Sequence, residues 1–335
     1  MKKGESISEL RRDLVSGDWV VIATGRAKRP DDFAKLEKPV FSQAKDKCPF
    51  EKFLPSSLAV YGEDHKPEKD WWVQVVSNKF PAFGKGICAV MFKAGIYEWG
   101  EGVGFHEVVI TRDHERPIPE MKDQEVSQII CAFQDRYLAL HHSGCVEYIS
   151  IFHNHGRTAG ASISHPHSQL IAIPVIPPDV ARSLQGSQEY FKKEKKCVHC
   201  TILKYELKEK SRIVYENNDC IVLAPFASKT AFEMRLFPKI HQPRFELISE
   251  KEREGVANAL RVSLAKLHQG LKNPDFNFFL HTAPTRNLKK YGYYHWHLEI
   301  IPKTAIWAGF EIGTGIEIST IAPESAAEFL RGIRV

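Results

Sequence analysis

The chain has 335 residues, with 46 Lys and Arg against 41 Asp and Glu, a mild formal charge of +5. At 43% hydrophobic and 26% charged it has the composition of a globular protein of about two domains, which excludes a disordered chain, a collagen or a coiled coil. No window approaches the ~18 consecutive apolar residues of a membrane span, and the charge fits anionic small substrates without indicating nucleic acid.

No apolar run follows Met1-Lys2-Lys3-Gly4-Glu5-Ser6, so no secretory signal is read there. The 7 Cys are odd in number and irregular in spacing, which argues against a disulfide framework and for a reducing, cytoplasmic setting in which clustered Cys bind metal. The residues before about Val73 are rich in Lys, Asp and Pro, and their one clear apolar patch, residues 19–23, reads as a strand after the Gly17-Asp18 turn signal.

From Val73 a pattern runs twice. Residues 73–76 read as a short strand ending in Ser77-Asn78-Lys79-Phe80-Pro81, and residues 106–111 as a second strand running into Arg112-Asp113-His114. Val126, Ile129, Ile130, Phe133, Tyr137 and Leu140 keep helical spacing and predict a helix over about 123–141. A strand over 148–152 follows, then a small, polar loop over 154–164, then His165-Pro166-His167-Ser168-Gln169 at the entrance of a strand over 170–173.

The second copy keeps the order. Strands over 221–224 and 232–238 come first, the latter running into Lys239-Ile240-His241. The capping box Ser249-Glu250-Lys251-Glu252 opens a helix with the stripe Val256, Leu260, Leu264, Leu267 and Leu271. A strand over 277–280 follows, and His295-Trp296-His297 opens a strand over 298–301. The steps from His114 to His167 and from His241 to His297 are similar in length. The expected fold is therefore α+β: two tandem halves, 1–178 and 197–335, each an antiparallel sheet with a packed helix, joined by a polar, helix-prone linker over 179–196.

Four motifs bear on chemistry. Alternate strand residues point to the same side, which brings His165, His167 and Gln169 to one face. A neutral imidazole attacks phosphorus when a neighbour fixes its tautomer, and the glycine-containing loop just before it can bring backbone N–H groups to phosphate oxygens. Two surface histidines near a turn would have the same sequence, but the second pair, His295 and His297, weighs against that. Cys197-Val198-His199-Cys200 is a zinc half-site that His241 and His295 would complete as a closed, structural tetrahedron, with His199 a competing ligand. Cys48-Pro49-Phe50-Glu51 stands where the first copy should carry its own pair. Cys48, Glu51, His114 and His165 then form either a second zinc site or a decayed one. Arg26 and Arg29 form a compact basic cluster suited to phosphate.

These residues together resemble the galactose-1-phosphate uridylyltransferase family, the transferase branch of the histidine-triad superfamily. The resemblance runs over nearly the whole chain, from Glu9-Leu10-Arg11-Arg12-Asp13 through Asn78-Lys79-Phe80-Pro81 and residues 160–169 to Gly309-Phe310-Glu311-Ile312-Gly313-Thr314-Gly315. It implies a ping-pong nucleotidyl transfer of galactose metabolism in which His167 attacks the α-phosphorus of a nucleotide sugar and Gln169 holds a non-bridging oxygen. It also implies phosphate contacts from Arg26 and Arg29, nucleotide contacts from Asn78 and Phe80, phosphate and sugar contacts from Asn154 and Ser162, and a hexose contact from Glu311. Structural zinc in one or two sites, a homodimer, and nucleotide-sugar and sugar-phosphate partners, with neither nucleic acid nor membrane, complete the expectation. Ala161 departs from the Cys of many bacterial members, and the Cys197/Cys200 pair is missing from the best-known of them. Residues 168–174 and 309–315 look closer to a sub-branch that includes ADP-glucose phosphorylases. The expected activity is that of a UDP-glucose–hexose-1-phosphate uridylyltransferase. AMP transfer from ADP-glucose to phosphate is the alternative, and a zinc-stabilised nucleotide-binding protein without catalysis stands behind both.

Overall fold

A computed structural model describes residues 8–26, 41–62, 71–84, 86, 88–143 and 146–335. The chain opens with the antiparallel hairpin β1 (Glu9–Arg12) and β2 (Trp19–Ile22), whose Val20 and Ile22 are buried. The first half then supplies β3 (Ala59–Gly62), β4 (Trp71–Ser77), an exposed hairpin of β5 (Met91–Ala94) and β6 (Tyr97–Gly100), β7 (Phe105–Thr111), β8 (Tyr148–His155) and β9 (His167–Ile173). The second supplies β10 (Ile213–Glu216), β11 (Cys220–Leu223), β12 (Met234–Pro238), β13 (Phe276–His281) and β14 (His297–Pro302), and the short β15 (Glu317–Ser319) follows. Each half thus repeats three strands, a helix and two strands. The first strand of each set, β3 or β10, escapes the sequence pattern: each is an edge strand of 4 residues.

The two sets do not form separate sheets. They join in one ten-stranded sheet, β10-β11-β12-β14-β13-β8-β9-β7-β4-β3, with every neighbouring pair antiparallel. The seam is β8 against β13, in the register Asn154↔Asn277 and His153↔Phe278. Outward from that seam the strands of the two halves follow in matching order.

The helix α1 (Asp123–His141) has the predicted bounds, and all six residues of its predicted stripe are buried. The connecting segment forms α2 (Pro178–Glu194), which buries Val180 and Leu184 against Tyr148, Tyr291 and Tyr294. Then come α3 (Val198–Glu209) and α4 (Glu250–Gly270). At the start of α4, Glu252 N–H donates to Ser249 Oγ while Ser249 N–H donates to the Glu252 carboxylate, the expected capping box. The short α5 (Gly309–Thr314) and α6 (Pro323–Gly332) close the chain. Helices α1 and α4 pack together on one face of the sheet, over a single apolar core running from Val73 and Val109 to Leu236 and Ile300. Each large side chain buried there contributes about 1.5–3 kcal/mol relative to exposure. The other face is covered in part by α2, by α3 and by Phe50 and Leu54, and the site stands on it.

The N-terminal hairpin belongs in space to the second half. β2 pairs parallel with β15, and the ion pairs Arg11–Glu324, Asp13–Arg235 and Asp18–Lys229 hold it there. Cys48, Cys131, Cys197, Cys200 and Cys220 are free thiols, whereas Cys88 is disulfide-bonded, one bridge rather than a framework. Among the described residues no helix is long and apolar enough to cross a membrane.

Candidate active site

The strand β9 begins at His167, so His167 and Gln169 project together from the sheet, opposite the core-facing Leu170 and Ala172. His165 lies just before it and serves as a brace. Its Nε2–H donates to the Thr111 carbonyl (2.5 Å), and its own carbonyl accepts from His167 Nδ1–H (2.9 Å). With the proton fixed on Nδ1, the lone pair of His167 is on Nε2. Burial pushes the His167 imidazole below its ordinary value, against the opposing pull of the His165 carbonyl, so the ring is neutral at pH 7. The Phe50 ring packs edge-on against it at 5.2 Å.

Gln169 is held from the neighbouring strand, where His106 Nε2–H donates to its Oε1 (2.8 Å). Asn154, on β8, is oriented across the seam: Asn277 Nδ2 donates to Asn154 Oδ1 and to the Ala159 carbonyl, both at 2.8 Å. Sequence reasoning missed His106 and Asn277, because each sits singly on a strand with no spacing pattern around it. The loop between β8 and β9 turns on Gly156 (φ 83°) and Gly160 (φ 89°), both in the left-handed region. A Cβ at Gly156 would clash with the Asp275 carboxyl group, and Asp275 holds the loop by accepting from the Thr158 N–H (2.8 Å).

The structure places the other expected residues as follows. Asn78 is spent on its own turn, its Oδ1 accepting from the Phe80 N–H (2.9 Å), while the Phe80 ring is 81% exposed. Ser162 is exposed on the loop. Glu311 caps its own helix, accepting from the Ala308 N–H (3.0 Å). Arg29 and the Arg26 side chain lie outside the described residues.

Both proposed metal groups assemble. The donor atoms of Cys197, Cys200, His241 and His295 all lie within 4.8 Å of one another, as do those of Cys48, Glu51, His114 and His165. In all four histidines Nε2–H donates to a backbone carbonyl: Gly292 for His241, Pro238 for His295, Gln43 for His114 and Thr111 for His165. That leaves four Nδ1 lone pairs aimed at the thiols or the carboxylate, with His114 Nδ1 2.8 Å from Glu51 Oε2. Sulfur and imidazole donors whose second ring nitrogen is tied to a carbonyl match a closed zinc site.

The second half repeats the site with its chemistry altered. His297 Nδ1–H donates to the His295 carbonyl (3.2 Å), as His167 does to His165. His199, between its two cysteines, packs on His297 at 4.9 Å where Phe50 packs on His167. Glu299 takes the place of Gln169, and Arg235, across the ladder, lies 3.1 Å from it. Burial alone would raise the Glu299 carboxyl, but Arg235 and the His297 hydrogen bond hold it well below the usual carboxylate range.

The profile for the galactose-1-phosphate uridyl transferase N-terminal domain matches residues 2–177, and that for the C-terminal domain matches residues 183–334. The chain belongs to this family. An ADP-glucose phosphorylase from Arabidopsis thaliana is 32% identical over 97% of this chain and 93% of its own length. A galactose-1-phosphate uridylyltransferase from Thermotoga maritima is 29% identical over 98% of this chain and 99% of its own. The crystal structure of the Arabidopsis thaliana ADP-glucose phosphorylase with bound ADP-glucose is 29% identical and superposes with a TM-score of 0.81, over 98% of this chain and 100% of that one.

Proposed function

We propose that the protein transfers a nucleotidyl group between a nucleoside-diphosphate hexose and a hexose 1-phosphate, as a UDP-glucose–hexose-1-phosphate uridylyltransferase does. The observation that carries this is the His167 ring, neutral, with Nδ1–H committed to the His165 carbonyl and Gln169 on the same face. Nε2 attacks the α-phosphorus, the N–P bond forms, and the sugar 1-phosphate leaves with the electrons of the breaking P–O bond. A second sugar 1-phosphate then displaces Nε2. The Gln169 amide donates to a non-bridging oxygen as charge develops. An amide can neither protonate a leaving group nor activate water, which favours transfer over hydrolysis. Asn154 Nδ2, freed because Asn277 occupies its Oδ1, donates to phosphate, and the exposed Phe80 ring offers the base a stacking surface. Arg26, Arg29, Ser162 and Glu311 keep the roles that the family pattern gives them.

Zinc is the metal that suits both donor sets, with Cys197, Cys200, His241 and His295 in one and Cys48, Glu51, His114 and His165 in the other. Its contribution is structural, cross-linking the segments that brace each His-x-His motif. The reading includes a cytoplasmic homodimer, in keeping with the free thiols and with the exposed apolar Ile306, Trp307, Phe310 and Ile312.

AMP transfer from ADP-glucose to phosphate is the second reading, favoured by the 32% identity to the phosphorylase. Intact mass after incubation with UDP-glucose or ADP-glucose alone separates the two. A UMP adduct is expected, an AMP adduct selects the second reading, and no adduct with either overturns both.

A further inference from the structure

The strand beside the nucleophile carries a residue that the proposed chemistry does not account for. The Ala82 backbone N–H donates to His106 Nδ1 (3.2 Å). A backbone amide cannot become an acceptor, so Nδ1 carries the lone pair and the ring proton is on Nε2. That proton is donated to Gln169 Oε1 at 2.8 Å. Asn78 Oδ1 accepts from the Phe80 N–H and holds the turn that leads to Ala82. A glutamine amide has two nearly isosteric orientations. One presents N–H donors to the substrate and the other presents an oxygen, which would repel a phosphate.

The geometry points to His106 as a positioning residue that locks the Gln169 amide with its oxygen turned into the protein and its NH2 group left for the phosphate. This rests on the reading that Gln169 donates to a non-bridging phosphate oxygen. The second half shows the same device built differently, with Arg235 holding the carboxylate Glu299. There the held group is an anion and offers phosphate no donor.

The test is the rate of nucleotidyl-adduct formation with UDP-glucose and ADP-glucose in wild type, His106→Ala, His106→Gln, Gln169→Ala and the double variant His106→Ala/Gln169→Ala. Removing one positioned donor costs roughly 10²–10³-fold, and releasing it from one of two orientations should cost about tenfold in the maximal rate with little change in half-saturation. His106→Gln, which keeps a side-chain donor, should recover most of that loss. In the Gln169→Ala background His106→Ala should cost less than about twofold, since the group it acts through is gone. Additive losses, or an unchanged rate in His106→Ala, would overturn the proposal. Nitrogen-15 NMR of labelled imidazoles needs no turnover. It should show His106 protonated on Nε2, with that signal moved by Gln169→Ala, and an Nδ1–H tautomer would overturn the proposal even if the adduct forms. A wild type with the Nε2–H tautomer and no adduct would overturn the transfer reading while supporting the positioning.

Discussion

Glu299 Oε1 lies 3.5 Å from His297 Nε2, the nitrogen that corresponds to Nε2 of His167. One copy of the duplicated site therefore carries a neutral amide, Gln169, two residues after its histidine, and the other sets a carboxylate in front of the corresponding nitrogen. His167→Ala should lower adduct formation by at least about 10³-fold, while His297→Ala should leave the adduct on His167. Loss of the adduct in His297→Ala alone, read by intact mass, would place the nucleophile in the wrong half.

Metal content should be two equivalents of zinc per chain, falling by one in Cys197→Ser and by one in Cys48→Ser. A structural zinc contributes several kcal/mol, so either variant should melt on the order of 10 °C lower. Cys48→Ser should in addition slow transfer, because His165 belongs to that donor group and its carbonyl also accepts from His167 Nδ1–H. Elemental analysis that finds no zinc in the purified protein would refute the assignment.

His199 is 1% exposed, and among the described residues neither of its ring nitrogens has a hydrogen-bond partner. Burying such a group costs about 1–3 kcal/mol. His199→Phe, which installs the residue of the other copy, should raise stability by about 1 kcal/mol in urea unfolding. A destabilised variant would mean that the imidazole is satisfied in solution.

His153 is 2% exposed, stacked on Phe278 at 5.0 Å, with Nδ1 3.0 Å from Ser168 Oγ. Burial holds it well below the ordinary imidazole value, so between that ordinary value and its folded one only the unfolded chain takes up the proton. Its share of stability is whole above about pH 6.5 and is lost as pH falls, at up to about 1.4 kcal/mol per pH unit. His153→Leu, which copies Leu280 of the second half, should remove that slope from urea midpoints measured between pH 7 and 5. Equal slopes in the two proteins would refute it.

The elements with many periodic residues were legible in the sequence. The α1 stripe and the Ser249 capping box are local patterns, and both His-x-His motifs open strands as expected. The fusion of the two sheets was not legible, since β8 and β13 meet through backbone bonds that no side-chain pattern encodes. The site divides the same way. His167, Gln169 and the eight residues of the two donor groups stand out by spacing, whereas His106 and Asn277 reach the candidate site only through strand neighbours distant in sequence. The spacing around Asn78 does not show that its Oδ1 accepts from the Phe80 N–H at the turn beside His106.

The pairing of β2 with β15 sets Val20 beside Glu317 and Ile22 beside Ser319. On the ribosome, the β1–β2 hairpin is made before β15 and waits through the synthesis of everything between them with one edge uncovered. Its ionic anchors, Arg235, Lys229 and Glu324, also lie in the last-made half. These two strands thus find their partner only after both halves of the sheet are made, and a ribosome that stalls before residue 317 releases a chain in which β2 is left as an open, pairing-competent edge.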